Sequence, residues 1–350
     1  MMPIYREAIP EDDSSLLELT SSAVMPGIIK LMTLRQPSFF NLVRQRGVSK
    51  VIVAEDDNEL IGSICISQEI VFIDKKPFKL FYISDFRVNH SQRNKGIGLQ
   101  LTNEAVSCLE KQDADFAFLN VSKGNKRPFV FFSDRKNFPD FENIGIFNIY
   151  QFLGSKKGGD NDFQVLETSA DQKILDFLNE YHSNFQLAPV LDYDQLENTS
   201  IYTIEENNDL LAVMCIGDYN YCKQHIVISL PWYLQLSITV MNLFRTISGA
   251  NLLPTTNQPI NMLHIKYLAV KRRDKRLIKS LIRRAQNEVQ LKSYSFVSLG
   301  LHEKDPLIEK LPKFFKMTFH SVGMLVTMKN TQKLMNVVKQ GIPYKDFSTV

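Results

Sequence analysis

Six consecutive residues, Arg93-Asn94-Lys95-Gly96-Ile97-Gly98, have the types and spacing of an anion site. They follow an apolar run, LFYISDFRV, and open a segment in which Leu101, Ala105, Cys108 and Leu109 mark one helical face. A strand that turns through a glycine loop into a helix presents unsatisfied N–H groups, with the positive end of the helix dipole behind them. Gly96 and Gly98 lack Cβ atoms, so a phosphate can approach the backbone, and Arg93 and Lys95 add charge at the mouth. No Gly-Lys-Ser/Thr occurs here, which excludes a Walker A loop. Leu101 stands where a dinucleotide fingerprint needs its third glycine.

The elements that must position this loop occur twice. Val51 to Ile66, VIVAEDDNELIGSICI, matches Ile201 to Ile216, IYTIEENNDLLAVMCI, with Asn58 facing Asn208, Leu60 facing Leu210 and Cys65 facing Cys215. Each reads as a β-hairpin around an acidic, Asn-containing turn. Upstream, YREAIPEDDSSLLEL corresponds to FQVLETSADQKILDFL, a strand, a polar turn and a capped helix start. Downstream, the strand and loop up to Val106 correspond to LHIKYLAVKRRDKRLIKSLIRRAQNEV, with Val88 opposite Val270. DADFAFLNVS corresponds to SYSFVSLGLH as a buried strand, and extra residues around Trp232 lengthen the second copy. The expected fold class is therefore α/β: two tandem units, each a mixed β-sheet flanked by helices. The expected boundaries are 1–153 for the first unit, 154–161 for a polar linker, 162–330 for the second unit, and 331–350 for a short helix and tail.

Bulk properties agree with that plan. The chain has 350 residues and 44% apolar content, which suits two domains. A net charge of +3 demands neither a nucleic-acid nor a membrane partner. The four cysteines, Cys65, Cys108, Cys215 and Cys222, are scattered, which fits a reducing cytosol and a cytoplasmic location. The first residues lack an apolar signal-peptide core. Ile226 to Phe244 is free of charge, but Pro231 and five polar residues interrupt it. It reads as a buried strand, HIVISL, followed by an amphipathic helix from about Trp232 to Ile247. The spacing of Cys215, Cys222 and His225 is not a zinc pattern, and no metal is expected.

The loop resembles the pyrophosphate-binding motif of the GNAT superfamily of N-acetyltransferases, Arg/Gln-x-x-Gly-x-Gly/Ala. Val88-Asn89-His90-Ser91-Gln92-Arg93 resembles the family's Val-x-Pro-x-x-Arg, with His90 in place of Pro, and Asn125 follows the next strand as a family Asn often does. The resemblance implies acetyl-CoA as co-substrate, its pyrophosphate on the amides of Arg93, Asn94, Lys95, Gly96, Ile97, Gly98 and Leu99. Its pantetheine arm would pair with Phe86, Arg87 and Val88, the thioester carbonyl facing a strand amide near Phe86 as an oxyanion donor. The implied reaction is acetyl transfer to a primary amine on a small molecule or peptide. Ser84 stands by spacing where the family often has its base Glu, with its neighbour Asp85 and then Tyr82 as the other candidates for base; Phe132 occupies the position where the family often has its acid Tyr, which leaves water or Tyr82 for that role.

At the corresponding loop of the second unit, Lys275, Ile278 and Ser280 are expected to replace Arg93, Gly96 and Gly98, so that unit should not hold the cofactor in the family manner. Two rival functions follow from the same residues. One is a tandem module that binds acyl-CoA with little turnover. The other is a binder of acidic partners or nucleic acid through the basic run Lys271 to Arg284, which lacks interleaved aromatics. The acceptor, the acyl-chain length and the choice of monomer or dimer stay open.

Overall fold

The apolar runs fold as strands wherever a turn sequence bounds them. In the computed structural model these are β1 (Ile4–Glu7), β2 (Val24–Met25), β3 (Lys30–Leu34), β4 (Ser49–Asp56), β5 (Glu59–Ile73), β6 (Lys76–Val88), β7 (Phe116–Ser122) and β8 (Phe141–Leu153). Then come β9 (Leu166–Thr168), β10 (Ala188–Pro189), β11 (Thr199–Glu206), β12 (Asp209–Asp218), β13 (Gln224–Ser229), β14 (Pro259–Ile260), β15 (Met262–Val270), β16 (Phe296–His302) and β17 (Lys316–Thr327). The helices are α1 (Asp13–Ser21), α2 (Phe39–Arg44), α3 (Ile97–Lys111), α4 (Gln172–His182), α5 (Tyr193–Leu196), α6 (Trp232–Leu243), α7 (Lys275–Leu291), α8 (Leu307–Lys310) and α9 (Gln332–Gln340). The structure describes residues 3–22, 24–25, 27–125, 141–155, 162–245, 251–314, 316–329 and 332–350. Phe132 and residues 156–161 of the expected linker lie outside them.

Both hairpins form. Asp57-Asn58 and Asn207-Asn208 take left-handed φ values, 49° and 63° in the first turn and 50° and 65° in the second. Two consecutive left-handed residues make the tight turn whose twist matches paired strands, and Asn tolerates that region best after Gly.

Among the described residues, thirteen strands form one sheet in the order β1-β4-β5-β6-β7-β17-β8-β16-β15-β12-β11-β9, with β10 paired to β5. The order reads alike from either edge, except that the last strand of each half has changed sides. β17 lies between β7 and β8, and β8 reaches β16. Neighbours are antiparallel apart from β6–β7 and β15–β16. Those two parallel pairs part. β6 and β7 are paired from Leu80–Phe116 to Tyr82–Phe118, while β6 continues to Val88 and β7 to Ser122. β15 and β16 are paired from Met262–Phe296 to Ile265–Leu299. A register slip between Ser63 and Cys65 puts a bulge in β6, where Asp85 has φ 52°. A matching slip falls between Cys215 and Ile216 against β15.

One helix covers each parting. Ile97, Leu101, Ala105 and Leu109 of α3 pack on Ile52, Ile64, Phe81 and Ile83. Gly62 permits the close approach: a Cβ there would meet Leu101 Cδ1 at 2.9 Å and the Arg87 carbonyl at 3.0 Å. Leu277, Leu281, Ala285 and Val289 of α7 pack on Ile265, Leu268 and Val297.

The segment after Cys222 departs from expectation. β13 belongs to a second, four-stranded sheet with β14, β3 and β2, and only its Val227 is fully buried. α6 has no buried residue, and Trp232 is 77% exposed. Ile238 and Met241 lean on the small cluster of Val227, Leu253 and Ile260, while Trp232, Leu236, Val240 and Leu243 stay exposed. Among the described residues, no helix is long and apolar enough to cross a membrane. The tail also does more than trail away. After α9 it runs back into the interior, where Phe347 packs on Gly300 and both Ser348 and Thr349 are buried.

Candidate functional site

The glycine loop begins where β6 ends. The Asn89 side chain accepts from Ser91 N and turns the chain through a short 3-10 turn, His90–Gln92. Asn94 (φ 64°) and Gly96 (φ 84°) are left-handed, and Gly96 caps α3 without a side-chain bond. The first bond of the helix runs from Gln100 N to Gly96 O at 3.1 Å. Among the described residues, the N–H groups of Asn94, Lys95, Gly96, Ile97, Gly98 and Leu99 have no acceptor. Among the described residues, a Cβ built on Gly96 would meet nothing within 4 Å, so they leave the loop open on that side. Lys95 Nζ rests on Gln92 Oε1 at 2.9 Å, and Arg93 Nε reaches the Val88 carbonyl at 3.4 Å. The result is a row of amide donors at a helix start, flanked by two exposed cations, which is suited to a phosphate.

The two faces of β6 then diverge in character, as strand alternation requires. Phe86 and Val88 pack on the α3 side. Tyr82, Ser84, Asp85 and Arg87 face the other way, toward residues flanking β3 and α2. Asp85 is locked there. One carboxylate oxygen pairs with Arg35, the other with Arg46 at 2.7 Å, and the Asp85 side chain is 4% exposed. Burial opposes its charge, but Arg35, Arg46 and Arg87 together hold the carboxyl well below the usual carboxylate range. Such a group does not take a proton from an ammonium near neutral pH, so the geometry argues against Asp85 as the base. Ser84 Oγ accepts from Arg46 Nη1 at 2.7 Å and is equally engaged. Burial pushes the Tyr82 phenol up to about 12, so it stays protonated and is suited to donating, not accepting, a proton. Arg87, expected beside the cofactor, contributes its backbone to the α3 side while its side chain interacts with Asp85 and Arg35.

Several residues at this centre carry no signal in the sequence. Lys223, just before β13, donates to the backbone oxygens of Ser348 and Val350 at 2.8 Å each. Burial, and then Arg46 and Arg35, push its pKa down to about 7. Arg46 Nε donates to the Thr349 carbonyl at 2.8 Å. His225 lies 3.2 Å from Thr33 Oγ1, and burial with Lys223 and Arg35 pushes it down to about 3. His264, on β15, is likewise driven well below its usual value by burial, Lys223 and His225. Asn125, by contrast a candidate from the sequence, lies just past β7, its N–H donating to Ser122 O at 3.0 Å.

The second half repeats the parted strands but not the loop. Phe296 of β16 stands where Phe116 of β7 does, and the buried face of α7 matches that of α3 when Leu277 is set opposite Ile97. This register puts Arg276 opposite Gly96 and Ile278 opposite Gly98, correcting the expected pairing of Ile278 and Ser280 with the two glycines. The loop is shorter and α7 begins earlier. Asp274 caps α7, its carboxylate accepting from Arg276 N at 2.8 Å and pairing with the Arg276 guanidinium at 3.0 Å. A carboxylate of the chain thus sits where a foreign anion would. The basic run meets local carboxylates: Lys271 with Asp209, Lys279 with Asp162, and Arg284 with Glu167 and Glu288. Cys215 and Cys222 are buried, and among the described residues no His/Cys/Asp/Glu group could hold a metal.

Comparison with known proteins gives this geometry a context. The Acetyltransferase (GNAT) family matches residues 21–129, the span that includes β6, the glycine loop and α3. Solved structures resemble nearly the whole chain. An N-myristoyltransferase from Saccharomyces cerevisiae with bound myristoyl-CoA has a TM-score of 0.61 at 10% identity, covering 93% of this chain and 79% of that one. The fold is GNAT-like. A GCN5-related N-acetyltransferase from Anabaena variabilis ATCC 29413 has a TM-score of 0.56 at 10% identity, with 93% and 73% covered. A probable N-acyltransferase from Enterococcus faecalis V583 has 0.53 at 10%, with 94% and 73% covered. No curated protein sequence matches the chain. At such low identity the GNAT-like likeness speaks for the fold, and the chemistry must come from the residues.

Proposed function

We propose that the chain is an acetyl-CoA-dependent N-acetyltransferase built from two tandem GNAT-like units, with its active site at the parted strands of the first. The observation that carries this reading is the row of acceptor-free amides from Asn94 to Leu99 beside the gap between β6 and β7. The pyrophosphate rests on those amides, with Arg93 and Lys95 at its flanks, and the pantetheine arm follows β6 toward the bulge at Asp85. An unprotonated primary amine attacks the thioester carbonyl carbon. A C–N bond forms, the C–S bond breaks, the departing thiolate takes a proton from a phenol, and the proton shed by nitrogen restores that phenol. Tyr82, the last β6 residue paired with β7 and a protonated phenol, is the proposed donor. Asp85 acts by holding Arg35 and Arg46 in place, not by moving a proton. The second unit closes the sheet and supplies the far wall of the cleft, its own anion position already occupied by Asp274.

Calorimetry of acetyl-CoA binding together with free-thiol release across an amine panel tests the reading. Binding that disappears in Gly96→Val, with amine-dependent thiol release in the unaltered protein, is the expected outcome. Failure to bind coenzyme A would sink it. The absence of an unengaged base among Asp85, Ser84 and Tyr82 favours a second reading, a module that binds acyl-CoA without efficient turnover; tight binding with no thiol release from any amine selects it.

A further inference from the structure

The face of β6 opposite α3 carries more positive charge than its described neighbours neutralise. Arg35, Arg46 and Arg87 all act on Asp85, and among the described residues Asp85 is the carboxylate bonded to Arg35 and Arg46. Lys223 adds a fourth basic group. The other nearby acids are already engaged: Glu69 pairs with Lys345 at 2.6 Å, and Asp346 accepts from Ser348 N at 2.8 Å and Ser348 Oγ at 2.7 Å. Among the described residues, Arg35 Nε and Nη1 and Arg87 Nε are buried with no acceptor. Arg35 is as enclosed as Asp85, and its one bonded nitrogen, Nη2, goes to that carboxylate. An unpaired polar group in the interior costs about 1–3 kcal/mol, more when it is charged, so a fold keeps several such donors together only where something else accepts from them. Guanidinium groups with open N–H donors are receptors for carboxylates and phosphates.

Their place matters as much as their charge. Arg46 lies over the Tyr82 ring at 5.6 Å, and Tyr82 marks the point where β6 and β7 part. The arginines therefore stand at the gap on the side away from the glycine loop and α3, the side from which an acceptor reaches a thioester threaded through it. They are not a second contact for the cofactor's pyrophosphate, which belongs to the opposite face.

Resting on the acyl-transfer reading above, we propose that the acceptor carries an anionic group, a carboxylate or phosphate ester, close to its amine, and that this group docks on Arg35 and Arg87. The acceptor is then an amino acid or an aminoalkyl phosphate. Polyamines and aminoglycosides, which bring only positive charge, are excluded by the same field.

The test uses the full chain with acetyl-CoA and reads thiol release for matched pairs: amino acids against their carboxamides, and O-phosphoethanolamine against ethanolamine. The anionic member of at least one pair is expected to show kcat/KM higher by about 10-fold or more, as one charge-assisted contact supplies. Which pair responds separates carboxylate from phosphate. Arg87→Gln, which leaves both Asp85 ion pairs intact, is expected to raise KM for the anionic member and erase the preference without changing the affinity for coenzyme A. Arg35→Gln repeats the test from the other side. Equal efficiency within every pair overturns the inference, as does an Arg87→Gln variant that keeps the preference. If no amine releases thiol, calorimetry of N-acetylglycine and O-phosphoethanolamine on the coenzyme A complex decides. Binding lost in Arg87→Gln keeps the anion site and removes the acyl-transfer reading, whereas no binding of either probe overturns the site.

Discussion

Two partings in one sheet, at β6/β7 and β15/β16, share a geometry and differ in chemistry. Each is a parallel pair that separates after three or four residues, beside a bulged strand and under a helix. Over the first, α3 begins from a left-handed glycine, and among the described residues its first amides have no acceptor. Over the second, α7 begins from Asp274, which serves its own helix. The bulge differs too: Asp85 with two arginines on one side, Lys266 beside the buried aromatics Tyr219 and Tyr267 on the other. The backbone that parts two strands is thus cheap to repeat, whereas ligand chemistry depends on a few residues at the helix mouth and the bulge.

The comparison can be broken in four places, the largest effect first. Asp85→Asn leaves Arg35 and Arg46 without their countercharge, and a destabilisation of about 3–5 kcal/mol is expected in denaturant titration, as for other buried pairs that lose one partner. An unchanged midpoint would show that the cluster is not the structural lock described here. Next, Gly96→Val places a β-branched residue at φ 84° and a side chain in the open mouth, and Arg93→Glu reverses a flanking charge. Each is expected to weaken acetyl-CoA by about 100-fold or more by calorimetry, near 3 kcal/mol, with the far-ultraviolet circular dichroism unaltered. Equal affinity would remove the difference between the two helix starts.

The third concerns Lys223. Its pKa is lowered in the folded chain to about 7 from an ordinary 10.5. Between those values the unfolded state binds the extra proton, so this group makes stability rise with pH across that window, and its penalty is complete below about pH 7. Lys223→Met should flatten the rise in stability between pH 7 and 10; a parallel curve would rule the assignment out. The smallest effect belongs to Asp274→Ala. Loss of the cap should cost about 1 kcal/mol. It should confer no coenzyme A affinity, because the loop before α7 is also shorter. Acquired binding would mean that the carboxylate alone separates the two halves.

What the sequence disclosed was local. The loop from Arg93 to Gly98, the hairpin turns at Asp57-Asn58 and Asn207-Asn208, and the buried stripe of α3 all follow from residue types within one or two turns of chain. The ion pairs that engage Asp85 were not legible, because its partners, Arg35 and Arg46, lie some 40 to 50 residues away and leave no periodic trace. Lys223 and the tail meet across more than a hundred residues. The register of α7 was misjudged because the strand before it aligned well while the shortened loop did not; burial of Leu277, Leu281 and Ala285 resolves it. The exposure of α6 was hidden for a further reason. Its mixed composition reads as an amphipathic helix with one covered face, and composition does not say whether a neighbour is there to cover it.

The exchange of β8 and β17 has a consequence for how the chain comes into being. A ribosome delivers β7 some two hundred residues before β17, the strand that will lie against it. Until residue 327 emerges, the strand from Phe116 to Ser122 offers an open, apolar hydrogen-bonding edge. The edge of β7 therefore stays unsealed until the closing strand of its own chain has been made. A crowded pool of nascent chains presents the same vacancy many times over, and the strand that fills one can arrive from a neighbour.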